Sequence, residues 1–315
     1  ILEKKRLPHK EASSGRMKRV ERFSYDEDIL RAHGEGSCDG VKVVLDINGG
    51  AAFRHVPTIL QRLGCKVTSI GDTPSVFSRT VDPTTDDLEM LSKVVVNRDA
   101  HIGLAFDCDG DRLVIVDNEG TKRSGDFMLT LALKRLFSES PGESVVVSVD
   151  TTLAVQEVVE EAGGRSYESK VGEANVLKAM IEKNARFGGE GSSGGLIDAS
   201  FNNCRDSMVA AVTIIEALKE RGAKIYGEVK SYHQSRIKLE VSRAKAERII
   251  KRLQREYRNA DQTDGVKIRP TKNSWVLVRA SGTEDILRIS AEAHTAKEAE
   301  ELAQSFVKKV RRDGA

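Results

Sequence analysis

The sequence predicts an α/β protein: two repeated three-layer α/β/α domains of mixed sheet, then a smaller C-terminal α+β domain. Short apolar runs alternate with segments of helical periodicity, the grammar of strands joined by helices. That order runs through once from Val41 and again from Ser144. After about residue 235 it gives way to helix, strands and helix. The 315 residues divide on this reading into 1–38 (the remnant of a preceding domain and a linker), 39–140, 141–235 and 236–315.

Residues 1 to about 40 are polar and basic, with helical character only over 25–32. The chain begins without methionine or a strand of its own, as the tail of something larger would. The apolar stretch 41–45 reads as a strand, 46–50 as a turn, 51–63 as a helix closed by Gly64, and 66–70 as the next strand. Thr84, Thr85, Asp86 and Asp87 are placed to cap a helix reaching Asn97, with acidic residues in its first turn. Two strands follow at 102–106 and 113–116, and Gly125-Asp126 opens a helix to about Phe137. The second round has strands at 144–149 and 165–169 and helices at 154–162 and 173–184. Residues 188–195 read as a glycine-rich loop, and Arg205-Asp206 opens a helix to about Arg221. Beyond a polar stretch at 224–234 come a helix at 244–257 and strands at 266–268, 275–278 and 286–293. Thr295 and Glu298 form a capping box for a last helix.

Hydrophobic residues make up 39% and charged residues 31%, which suits a soluble globular chain with a real core. A net charge of +2 gives no electrostatic reason for nucleic acid or a membrane surface as partner. No apolar run reaches the length of roughly 18 residues that an ordinary membrane span needs. Cys38, Cys65, Cys108 and Cys204 are scattered, without C-x-x-C or a histidine at zinc spacing. They read as reduced thiols of a cytoplasmic protein, and no signal peptide is recognisable.

Asp107, Asp109 and Asp111 alternate after the strand at 102–106, and Arg112 follows. Three carboxylates at a strand end repel unless something positive stands among them. A hard divalent cation is the natural neutraliser, and Mg²⁺ is usual where a phosphate shares the ion. The plain alternative is a solvated acidic turn. An EF-hand is excluded, because it needs glycine where Arg112 stands and glutamate where Asn118 stands. A haloacid-dehalogenase-type phosphatase, with Asp107 as nucleophile, ends its strand D-x-D-G-T. Residues 107–110 fit that pattern, but Asp111 replaces the threonine and an α/β stretch precedes what is normally an early motif.

Glu190, beside Ser192 and Ser193, suits the hydroxyls of a sugar; a flexible surface loop is the alternative. Arg279, Ser281, Gly282 and Thr283 make a compact anion site from a fork of donors, two hydroxyls and an approachable backbone. Arg288 lies across the turn from them. An ordinary polar hairpin turn is the competing reading. The loops at 107–112 and 189–195 occupy equivalent places in the repeat, at strand carboxyl ends, where such sheets bind ligands.

In this order the three loops resemble the α-D-phosphohexomutase superfamily of phosphoglucomutases, phosphomannomutases and phosphoglucosamine mutases. Residues 107–112 are similar to its D-x-D-[GA]-D-R metal loop. Residues 189–194 are similar to its G-E-x-S-G sugar loop, and 279–284 to its R-[AP]-S-G-T-E-P phosphate loop. Asp46 to Gly50, Lys170-Val171-Gly172, Gly125-Asp126 and Arg205-Asp206 agree as well, so the resemblance spans about residue 10 onward.

The resemblance implies four domains around a cleft and an isomerase of carbohydrate metabolism acting on a glucose- or mannose-type hexose 1- or 6-phosphate. A phosphoserine gives its phosphoryl group to the sugar, and glucose or mannose 1,6-bisphosphate is both intermediate and activator. Asp107, Asp109 and Asp111 would hold Mg²⁺, and Arg112 would stabilise the transferring group. Glu190 with Ser192 or Ser193 would hold sugar hydroxyls. Arg279, Ser281, Gly282, Thr283 and Arg288 would grip the phosphate that is not reacting.

The sequence also departs from the family. The serine loop T-A-S-H-N-P is absent, and Ser13-Ser14 has neither its histidine nor its proline. The expectation is therefore domains two to four, inactive alone, with the missing first domain as partner; a non-catalytic phosphosugar binder is the alternative. The sugar loop carries one extra residue, Asp285 replaces the phosphate-loop proline, and Glu173 stands where some members have histidine. With the metal but without the phosphoserine oxygen, water or an anion is expected in its place; without the metal, a weakly held ion, solvent or a nearby positive side chain is expected among Asp107, Asp109 and Asp111.

Overall fold

The computed structural model describes residues 25–282 and 284–312. After helix α1 (Tyr25–His33), the first sheet takes β1 (Lys42–Asp46), β2 (Lys66–Ile70), β3 (Ile102–Phe106) and β4 (Leu113–Asp117), with α2 (Val56–Arg62) and α3 (Glu89–Asn97) between them. The strand order is β2-β1-β3-β4, parallel except for β4. Helix α4 (Gly125–Glu139) leads to a second sheet of β5 (Ser144–Ser148), β6 (Arg165–Ser169), β7 (Phe187–Glu190) and β8 (Gly195–Asp198). Its helices are α5 (Leu153–Glu161), α6 (Glu173–Lys183) and α7 (Ser207–Arg221). The order β6-β5-β7-β8, again with one antiparallel edge, repeats the first sheet. The C-terminal part runs β9 (His233–Glu240), α8 (Arg243–Glu256), β10 (Val266–Thr271), β11 (Ser274–Ala280), β12 (Ile286–Ala293) and α9 (Ala296–Arg312). Its antiparallel sheet has the order β10-β11-β12-β9.

The expected α/β repeat and C-terminal α+β unit are present, with local differences. The helix expected at 51–63 is a 3-10 turn at Ala51–Phe53 and then α2, which starts beside Pro57. The helix expected from Thr84 starts at Glu89. Leu88 is left-handed there, and Asp86 and Asp87 accept the N–H groups of Leu88 and Glu89. The glycine stretch 188–195 is strand at both ends, where β7 and β8 pair, with a 3-10 turn at Gly191–Ser193 between them. The polar stretch 224–234 ends in β9, which pairs along its whole length with β12. The capping box is made: Thr295 Oγ1 accepts from the Glu298 N–H at 3.2 Å, and Glu298 Oε2 accepts from Thr295 N–H at 3.2 Å.

Side chains of β1 and β3 are buried on both faces, as in sheets covered by helices on either side. One continuous apolar cluster joins the two repeats: Leu104, Phe106 and Leu113 of the first share it with Leu129, Phe187 and Ile214. Helices α4 and α7 fill the space between the sheets. This shared core holds the carboxyl ends of β3 and β7 in fixed relation. No helix among the described residues is long and apolar enough to cross a membrane.

The C-terminal sheet docks on the second repeat through Trp275 and Leu277, which pack on Val149 and Leu153. Near this junction Asp126 is buried, accepting from Thr152 N–H at 2.9 Å and from Arg236 at 3.0 Å. Burial pushes the Asp126 carboxyl up to about 6, Arg236 pulls it back, and Glu292 and Asp150 add to the rise. The folded chain therefore keeps this proton across roughly pH 4–6, where the unfolded chain releases it. Its contribution to stability falls as pH rises through that window. Asp126→Asn is expected to flatten that part of the curve of thermal midpoint against pH; an unchanged slope there counts against the assignment.

Candidate active site

Register puts Phe106 opposite Leu113, so residues 107–112 form the loop of the β3–β4 hairpin. Gly110 turns it at φ +76°. Asp107 Oδ1 accepts the backbone N–H groups of Gly110, Asp111 and Arg112 at 3.0, 3.1 and 3.2 Å. The loop thus folds around its own first carboxylate, and one ligand atom from each of Asp107, Asp109 and Asp111 lies within 4.8 Å of the others. From below, Ala51 N–H donates to Cys108 C=O at 2.7 Å. Gly50 is needed there, because a Cβ would come within 2.7 Å of the same oxygen.

Burial pushes the Asp107 carboxyl up to about 7; the Arg112 N–H opposes this, and Asp111 and Asp109 add to it. Two guanidinium groups answer the charge. Arg112 Nε lies 3.5 Å from Asp107 Oδ2 and 3.7 Å from Asp111 Oδ1, and its Nη1 donates to Asp82 Oδ2 at 2.7 Å. Arg205 donates to Asp111 Oδ2. Both guanidinium groups stand directly against the aspartates. Asp111 Oδ1 remains buried without a hydrogen-bond partner. Three converging carboxylates, with one buried Asp111 oxygen left without a partner, fit a Mg²⁺ ion.

The sugar-loop candidates lie beside this hairpin. Glu190 ends β7 and is buried. Its Oε1 accepts from Gly172 N–H at 2.6 Å, and its Oε2 lies 3.5 Å from Arg205 Nη1. Burial raises the Glu190 carboxyl above its usual range, while Gly172 N–H and Arg205 pull it down. Ser193 Oγ donates to Glu190 C=O at 3.2 Å and accepts from Arg205 Nη1 at 3.3 Å, and Ser192 is half-buried beside it. The two loops are pinned together where Leu113 N–H donates to Gly194 C=O at 3.1 Å, and the start of α7 holds the hairpin through Ser207 Oγ, which donates to Gly110 C=O. Gly125 lets them meet, since a Cβ there would lie 2.5 Å from Gly191 C=O.

The third candidate cluster sits on the β11–β12 hairpin. Arg279 and Arg288 are register partners, and Ser281 N–H donates to Ile286 C=O at 3.0 Å to close the turn. Arg279 lies 3.5 Å from Asp264, and Arg288 donates to Glu284 at 2.6 Å. Ser281 Oγ accepts from Glu284 N–H at 3.3 Å, and no atom crowds the Cα of Gly282. Thr283 lies outside the described residues.

Arg205 is the residue that reading the sequence missed. It touches Asp111, Glu173, Glu190 and Ser193, joining the acidic hairpin to the Glu190 loop. The Arg205-Asp206 pair was visible as a helix start, and Asp206 does cap α7 through the N–H groups of Met208 and Val209.

Residues 27–120 and 124–234 match the family models for phosphoglucomutase/phosphomannomutase alpha/beta/alpha domains II and III, and residues 237–309 match that family's C-terminal domain. A probable phosphoglucosamine mutase of Methanopyrus kandleri is 33% identical over 303 residues, covering 91% of this chain and 67% of that protein. A solved phosphoglucomutase/phosphomannomutase family protein of Burkholderia thailandensis matches at a TM-score of 0.79 and 22% identity, over 92% of this chain and 64% of that one. The N-acetylphosphoglucosamine mutase of Aspergillus fumigatus, solved in complex with GlcNAc-6P and magnesium, matches at 0.61 and 16% identity, over 89% and 68%. The chain spans about three fifths to two thirds of the length of the curated relatives it matches.

Proposed function

The chain belongs to the phosphoglucomutase/phosphomannomutase family, and from that premise we propose that it supplies the metal, sugar and phosphate sites of a phosphohexomutase. The reaction moves a phosphoryl group between two hydroxyls of one hexose. The observation that carries this reading is the pinning of the acidic hairpin against the Glu190 loop by Leu113–Gly194 and Arg205–Asp111. A charged reacting group and a sugar ring would meet at that junction.

Asp107, Asp109 and Asp111 hold Mg²⁺, which when bound supplies Lewis-acid stabilisation to a phosphoryl oxygen. Arg112, aimed by Asp82, lies where charge develops on the transferring group. Glu190 takes sugar hydroxyls, with Ser192 the freer of the two loop serines because Ser193 is bonded to Arg205. Arg279, Ser281, Gly282, Thr283 and Arg288 take the distal phosphate, and that grip positions the reacting end. Family membership sets the phosphatase reading of Asp107 aside.

Calorimetry with Mg²⁺ and with the 6-phosphates of glucose, mannose and glucosamine tests the sites. Glucose or mannose is the expectation from the motifs, and the name of the Methanopyrus relative adds glucosamine. Asp109→Asn is expected to weaken Mg²⁺ binding by about tenfold or more; unchanged affinity removes the metal role. No T-A-S-H-N-P stands in the 315 residues, so this polypeptide is expected to bind hexose phosphate without interconverting it until a domain bearing that motif is added. Appreciable conversion of glucose 1-phosphate by the polypeptide alone would overturn that expectation.

A further inference from the structure

The C-terminal sheet carries one more cation in line with the phosphate loop than the motif contains. Register sets Lys238 of β9 opposite Arg288 of β12, and Arg288 opposite Arg279 of β11. Directly opposed residues share a face, so three positive side chains stand in one row across three strands. The other face is the core side, where Ile237 and Leu239 pack with Val278, Leu287 and Ile289. Opposed side chains in a sheet are about 5 Å apart at Cβ, and like charges so placed repel.

Carboxylates answer two of the three. Asp264 stands by Arg279 and Glu284 by Arg288. Lys238 is exposed and makes no hydrogen bond or ion pair among the described residues. Arg288 Nε is buried and also lacks a hydrogen-bond partner. Moving along the same face toward β9's start, the next cation, Arg236, is tied to Asp126 and so is not part of the row. Glu240 stands two residues on along the same face of β9 without an ion pair to Lys238, so among the described residues Lys238 is the member of the row that no carboxylate pairs. β9 is the edge strand, and lysine often guards edges. Edge protection explains a lysine on β9 but gives no reason for this rung.

We propose that Lys238 is a third cationic contact of the phosphomonoester site, reaching across Arg288 to a phosphate held by Arg279. This rests on the reading of Arg279, Ser281 and Gly282 as a phosphate site. A phosphomonoester at neutral pH carries between one and two negative charges, which three cations suit better than two partly neutralised arginines. Lysine's flexible stem and point charge fit an outer contact, while the arginine forks fix geometry.

The test is titration calorimetry of the full chain with glucose 6-phosphate and with inorganic phosphate at two salt concentrations. The parent is compared with Lys238→Ala, Lys238→Arg and Arg279→Ala. Lys238→Ala is expected to weaken both ligands by about five- to tenfold and to lessen the salt dependence. Lys238→Arg should restore most of the affinity, and the Lys238→Ala thermal midpoint should hold or rise as repulsion is relieved. Parent-like affinity in Lys238→Ala beside a large loss in Arg279→Ala overturns the role of Lys238 and leaves the phosphate site standing. Absence of phosphate binding by the parent, or parent-like affinity in Arg279→Ala, overturns both.

Discussion

Glu292→Ala is expected to lower stability by about 2–3 kcal/mol, because two buried donors and one half-buried donor lose their acceptor together. Glu292 is fully buried on β12. It accepts from Leu153 N–H at 2.8 Å, the Trp275 indole N–H at 3.0 Å and Gln234 Nε2 at 2.8 Å. Truncation leaves all three without a partner in a packed interface, and each orphaned buried donor costs about 1 kcal/mol or more. Glu292→Gln keeps one carbonyl acceptor and should lose much less. Trp275 is the chain's one tryptophan and lies in this interface, so its fluorescence follows the transition directly. Lys267 stacks on its ring, 4.6 Å from the centroid, and donates to Val149 C=O and Glu168 at 2.7 Å. A denaturation midpoint in Glu292→Ala equal to that of the parent would mean that water or repacking replaces the carboxylate, and would remove Glu292 as the anchor between the C-terminal sheet and helix α5.

The acidic hairpin was legible because everything that defines it is local: a buried strand, three aspartates at alternate positions, a glycine at the turn. The same holds for the capping box of Thr295 and Glu298. What the sequence hid falls into two kinds. Strands β7 and β8 were concealed by glycines, which have no strand preference of their own and are there because Leu129 and Arg205 leave no room for a Cβ at Gly189 and Gly195. Strand β9 was concealed by Gln234, Arg236 and Lys238, which share the face away from the C-terminal core, and by Ser235 on the other face, which bonds Glu300 of α9. The second kind is distance along the chain. Arg205 stands 94 positions from Asp111, Lys267 stands 99 from Glu168, and Glu292 stands 139 from Leu153. No local pattern announces such pairs, and these charges are buried only because the domains meet there.

Arg205→Met is expected to move two ligands in opposite directions. Arg205 is mostly buried and stands among Asp111, Glu173 and Glu190. Removing its charge leaves a buried Glu190 with only Gly172 N–H to offset desolvation. Its carboxyl should rise further, and stability should fall by about 2 kcal/mol, less than for a fully buried pair because the site is partly open. Ser193 loses its donor, so hexose phosphate affinity should fall. The Asp111 carboxylate, meanwhile, gains a free oxygen, and the acidic hairpin loses one of its two opposing cations. A unit charge about 5 Å away is worth on the order of 1 kcal/mol even when well screened. Mg²⁺ affinity should therefore rise by roughly fivefold or more, opposite in sign to Asp109→Asn. If calorimetry instead finds that Arg205→Met weakens Mg²⁺, then Arg205 acts as a prop that aims Asp111. If Mg²⁺ tightens while sugar phosphate weakens, Arg205 competes with the ion for Asp111, while its other nitrogen keeps its contacts to Glu190 and Ser193. Arg205→Lys, which keeps the charge but not the fork, separates the two: a competitor stays weak for Mg²⁺, and a prop fails.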